Sequence, residues 1–197
     1  MTAKEFWKAF SDKLNKKDIY AEAQEKWNYS KDYTEFIIGM MEGIIGSKDK
    51  GGIGLETSKE YYRIDLTGWT QRRKEIKDKL LVPENRSYSF QTYCWDLEIA
   101  IEHENNDKLW MDEIIKLLHI RCPLRVVVGY VPKALPKEPY LEYVSKAIVE
   151  SNKVANISDG CFLVLLGDSK VGKNGKKCNY TPYEWDVKEN TFKLLKK

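Results

Sequence analysis

Histidine is scarce in this chain: only His103 and His119 occur among 197 residues. The four cysteines, Cys94, Cys122, Cys161 and Cys178, are scattered and form no C-x-x-C pair. A structural zinc site needs clustered ligands, so none is expected. Cys161 sits in an apolar run and Cys94 among aromatics, which predicts reduced, buried thiols. No apolar stretch approaches the length that crosses a bilayer. The opening MTAKEFWKAF is neither a cationic segment with an apolar core nor a lipidation signal, so a cytoplasmic location is expected. An excess of one charge is also lacking, with 33 Lys and Arg against 30 Asp and Glu. There is no internal repeat and no low-complexity tract.

The composition is that of a folded globular chain, 42% hydrophobic and 32% charged. The length suits one α/β domain, residues 31–197, preceded by a helical extension, residues 1–30. Charge is uneven locally. QRRKEIKDK (71–79) and DSKVGKNGKK (168–177) each carry a net charge of +3. Such patches can meet a phosphate backbone, although solvated loops are the plainer account of them.

FLVLLGDSKVGKN (162–174) has the outline of a phosphate-cradling loop, with Gly167, Gly172 and Lys173 in place. Asn174 stands where a Mg²⁺-ligating hydroxyl belongs, and the following residues lack an apolar stripe at helical spacing. A buried strand, a turn and one or two closing strands account for this region better.

Thr2 and Glu5 form a capping-box pattern ahead of Phe6, Phe10 and Leu14, which predicts an amphipathic helix. A second helix is expected through 21–27. A third, over 33–45, has a wide apolar face. YYRIDLTGW (61–69) reads as one strand, with Asp65 on its more polar face, followed by a helical connection over 70–81. The remainder reads as a strand over 93–105, a helix over 107–120, a strand over 124–131, a helix over 139–154, a strand over 161–167 and one or two edge strands. That order describes a central mixed β-sheet flanked by helices.

The stretch DLEIAIEHEN carries the chemistry. Alternation puts Glu98, Ala100, Glu102 and Glu104 on one face and Ile99, Ile101 and His103 on the other. Carboxylates on an interior strand are costly unless solvated or bound to a cation. If the strands are neighbours, Asp65 and Glu102 can converge on one hard cation such as Mg²⁺. His103 reads as a hydrogen-bonded core residue, and His119 as a helix-end residue needing no catalytic role. Trp69, Tyr93 and Trp95 could stack on bases, with packing against the sheet as the default.

R-I-Asp65-L followed by A-I-Glu102-H-Glu104-N resembles the PD-(D/E)XK, or restriction-endonuclease-like, nuclease superfamily in a Glu-x-Glu variant. Lys usually stands in the position of Glu104. The element order from about 33 to 170 is similar too. The resemblance implies metal-dependent phosphodiester hydrolysis, with Asp65 and Glu102 holding Mg²⁺ or Mn²⁺ and Glu104 orienting or deprotonating water. Glu42 could supply a further acid, and Glu98 could replace Glu102 in an alternative register. The implied partner is nucleic acid, DNA foremost, with no membrane; a homodimer is compatible. The alternative is the same fold with an inactive site, serving as a nucleic-acid or protein-binding module.

Overall fold

The computed structural model describes residues 1–71, 95–132, 135–157, 160–168 and 179–196. Helix α1 (Ala3–Leu14) begins at the expected capping box, in which the Thr2 side chain and Glu5 satisfy each other's backbone N–H groups. It is followed by α2 (Lys17–Lys26) and α3 (Ser30–Ile45). Strands β1 (Glu56–Tyr61), β2 (Ile64–Gln71) and β3 (Trp95–His103) precede α4 (Trp110–Leu117). Then come β4 (Leu124–Val131), α5 (Glu138–Glu150), β5 (Cys161–Asp168), β6 (Thr181–Asp186) and β7 (Thr191–Leu194).

The seven strands form one sheet in chain order. The β3–β4 and β4–β5 pairs are parallel, and the other pairs are antiparallel. The two parallel pairs are those whose connections contain α4 and α5, since a parallel return needs a crossover while an antiparallel one can use a short turn. β4 is buried along its whole length, which explains its nearly uninterrupted apolar sequence.

Alternation along the central strands divides the core into two layers. Leu66, Ile101, Val126 and Leu163 meet α1 and α3 on one face of the sheet. Ala100, Val127, Phe162 and Val164 meet α4 and α5 on the other. Phe6 and Phe10 of α1 are fully buried in the first layer, so the N-terminal helices share the core of the sheet. Burying such aromatic side chains contributes about 1.5–3 kcal/mol each.

The single strand expected over 61–69 is two strands joined at Tyr62-Arg63, with Tyr61 paired to Ile64 across the turn. No Gly or Asn marks that turn, and β1 accordingly has no counterpart in the sequence reading. The expected helix over 70–81 lies outside the described residues beyond Gln71, as do the basic residues 72–79 and 169–177. After residue 178 the chain forms β6 and β7, the closing strands expected in place of a nucleotide-binding helix. Among the described residues, no helix is long and apolar enough to cross a membrane.

Candidate active site

The register of β2 against β3 builds the site. Leu66 pairs with Ile101, so one step further sets Asp65 beside Glu102. Glu102 follows Ala100 by two residues and therefore faces the α4 layer. It is only 1% exposed. Asp65 is oriented by a backbone contact: its Oδ2 accepts the His103 N–H at 2.7 Å.

Helix α4 supplies a third group. Its apolar stripe, Trp110, Ile114 and Leu117, is buried against the sheet, which leaves Glu113 and Lys116 together on an adjoining side. Gly129 of β4 lies beneath Trp110, and a β-carbon there would come within 2.6 Å of the Trp110 side chain. That close approach seats the helix. Lys116 Nζ then lies 2.8 Å from Glu102 Oε1, donates to the Arg63 carbonyl at 3.0 Å, and also pairs with the Glu113 carboxylate.

Burial decides the electrostatics of the acids. It pushes the Glu102 carboxyl up to about 8; the Asp65 charge adds to the rise, while the Lys116 ammonium opposes it. Asp65 is also raised, first by burial and against the pull of the His103 N–H. Burial disfavours charge on Lys116, but the Glu102 and Glu113 carboxylates outweigh it and hold the ammonium above its ordinary value.

The structure brings Asp65 and Glu102 together and does not bring Glu104 to them. Glu104 Oε1 instead accepts the Asn106 N–H at 2.6 Å within its own loop. Glu98 lies four residues back along β3, roughly 13 Å from Glu102 at the usual strand rise. Its neighbours Leu97 and Ile99 pair with Trp69 and Gly68, so Glu98 does not face Asp65. Glu42 sits on α3, across the sheet, accepting from Thr57 Oγ1 at 3.1 Å and pairing with Lys59 at 2.8 Å.

His103 points into the first layer, where Nε2 and Tyr130 Oη are 2.8 Å apart. Burial drives this imidazole down to about 3, so it stays neutral. His119 is exposed at the end of α4. Cys122 and Cys161 are free thiols, and burial raises both, Cys122 to about 11. Cys94, Cys178 and Tyr93 lie outside the described residues.

Among the described residues, no three His, Cys, Asp or Glu side chains gather into a metal-binding group. Asp65 and Glu102 nevertheless suit a cation such as Mg²⁺, which takes one or two carboxylates and completes its shell with water and substrate oxygens. Glu102 Oε1 is buried, with the Lys116 ammonium as its partner. Lys116 and Glu113 were absent from the sequence reading. The available signal was Glu113-x-x-Lys116, one helical turn apart in the helix that follows the acidic strand.

No protein-family model matches the chain, and neither a curated protein nor a solved structure matches it.

Proposed function

We propose that the chain is a metal-dependent phosphodiesterase acting on nucleic acid, with a restriction-endonuclease-like fold. The reading is carried by one observation: Asp65 and Glu102 stand side by side on neighbouring strands beneath the Lys116 ammonium. The order from α3 through β1, β2, β3 and α4 to β4 also supports it, being the helix–strand–helix order that the resemblance implies. That resemblance ordinarily places Lys two residues after the second acid, where this chain has Glu104. Lys116 supplies an ammonium to the same carboxylate from the following helix.

Asp65 and Glu102 would hold Mg²⁺ or Mn²⁺. When bound, the cation polarises the scissile phosphate and makes a bound water more acidic. The chain's own groups have separable tasks. The His103 N–H fixes the direction in which Asp65 presents its carboxylate. Lys116 favours the ionised form of Glu102 against burial, and its ammonium would offset the negative charge that a phosphate oxyanion gains as water attacks. Hydrolysis then adds the water oxygen to phosphorus, breaks the bond to the leaving oxygen and returns a proton to that oxygen.

The test is incubation of purified protein with plasmid and single-stranded DNA or RNA in Mg²⁺, Mn²⁺ or EDTA, alongside Asp65→Ala, Glu102→Ala and Lys116→Met. Cleavage that needs the cation and is lost in the Asp65 and Glu102 variants is expected. A folded wild-type protein that cleaves nothing and gains no thermal stability from Mn²⁺ would overturn the catalytic reading. The second reading, an inactive module of the same fold, is favoured by the turning of Glu104 toward Asn106. It requires nucleic-acid or protein binding without cleavage.

A further inference from the structure

The turn joining β1 and β2 has an unusual composition for its geometry. Tyr62 and Arg63, its two central residues, have φ of 50° and 64°, and the preceding Glu60 has φ of 54°. A two-residue hairpin loop with both φ positive ordinarily uses Asn and Gly, because a β-carbon is disfavoured there. Here the turn carries a large ring and a guanidinium instead. Burial in the core does not account for the ring, since Tyr62 is 80% exposed.

Tyr62 begins an aromatic strip. Its ring meets Tyr61 edge to face at 4.7 Å, and Tyr61 meets Trp69 in the same manner at 5.0 Å. Tyr61 and Trp69 are both partly exposed. The inner end is fixed: Trp69 Nε1 donates to Thr67 Oγ1 at 2.8 Å, and that hydroxyl donates to the Ser58 carbonyl at 3.1 Å. The outer end is tied to the carboxylate pair, because the Arg63 carbonyl accepts from the same Lys116 Nζ that pairs with Glu102. The turn that carries the strip therefore adjoins the candidate active site, with the exposed Arg63 side chain on it.

We infer that the Tyr62–Tyr61–Trp69 strip is a stacking platform for unpaired bases, with Arg63 contacting the backbone, so that the substrate is single-stranded or locally unwound nucleic acid. This rests on the phosphodiesterase reading above and names its substrate class. Bases inside a duplex already stack on one another, whereas an unpaired base offers its face to an aromatic side chain without regard to sequence. The guanidinium supplies the complementary charge for a phosphate. A strained turn that displays a ring beside a phosphate-directed site is consistent with strain retained for contact with a ligand.

The experiment is fluorescence anisotropy in EDTA with a labelled mixed-sequence oligonucleotide, single-stranded or annealed to its complement. The wild-type protein is expected to bind the single strand about tenfold or more tightly than the duplex. Tyr62→Ala should weaken single-strand binding by about tenfold, and Tyr62→Trp should retain it. Arg63→Gln should lower the slope of log affinity against log salt by about one phosphate contact. Tyr62→Gly should raise the melting temperature, because glycine accepts the left-handed turn, while binding falls as for alanine. A merely structural tyrosine would not separate stability from binding in this way. Equal binding by wild type and Tyr62→Ala, or a wild-type preference for duplex, overturns this inference alone. If the wild type binds no oligonucleotide, both this inference and the nucleic-acid reading fail.

Discussion

Lys116 of α4 and Glu102 of β3 form an ion pair at 2.8 Å in which the Glu102 side chain is almost wholly buried and the Lys116 side chain is 37% exposed. The exposed partner can move away at modest cost, and the buried one cannot. Lys116→Met is expected to fold and to reduce the proposed metal-dependent cleavage on the order of 10²-fold, the scale of one lost electrostatic contact to a transition state. Without its ammonium, Glu102 should hold its proton to still higher pH. A carboxyl raised in the folded state binds more protons than its unfolded counterpart between the two pKa values, so stability falls as pH rises across that window. Urea unfolding should therefore show the variant close to wild type near pH 5 and less stable near pH 9. Equal stability at both values would show that the pair has no influence on Glu102.

Glu102→Gln separates stability from metal affinity. Glu102 is raised to about 8 chiefly by burial, which favours the protonated form that glutamine imitates. In the metal-free protein, stability should fall less between pH 5 and pH 9 in the variant than in wild type, because the raised carboxyl that imposes that fall is gone. Mn²⁺ should raise the melting temperature of wild type and leave that of Glu102→Gln unchanged. A metal-induced shift of equal size in both proteins would remove Glu102 from the proposed cation site.

Much of the fold is legible in local patterns. The apolar runs of β4 and β5 announce strands covered on both faces, and the Thr2–Glu5 box marks the start of α1. Asp65 and Glu102 stand out because acids interrupt apolar alternation. The β1–β2 turn does not, because Tyr62 and Arg63 carry no preference for the left-handed conformation they adopt. Lys116 is one lysine among many in the sequence; only packing of α4 across β3 and β4 brings it to Glu102. The same nonlocality governs Glu104 and Glu42. Glu104, expected to orient water, bonds within its own loop, and Glu42, the further acid of the resemblance, is held by β1.

His103 provides an acid-side test in EDTA. Burial lowers its imidazole to about 3, against an ordinary value of 6.5. Below pH 6.5 the unfolded chain takes up a proton that the folded chain refuses, so the stability contributed by the neutral form is lost progressively from there toward pH 3. The slope from this group is at most about 1.4 kcal/mol per pH unit. His103→Gln keeps a polar group near Tyr130 and should flatten the stability profile between pH 6 and 4. An unchanged profile would mean that other groups govern acid unfolding.

Gly129 tests whether the seating of α4 matters to the site. A β-carbon at this position would meet Trp110 Cβ and Cγ at 2.6 Å, close to the helix backbone, so a flexible side-chain end cannot absorb the clash. Gly129→Ala should displace the start of α4 and cost about 1–3 kcal/mol, the usual range for overpacking a core. Because Lys116 rides on the same helix, cleavage at a temperature where the variant remains folded should also fall. If Gly129→Ala lowers stability while cleavage by the folded fraction is unchanged, the position of α4 is not what places Lys116 on Glu102.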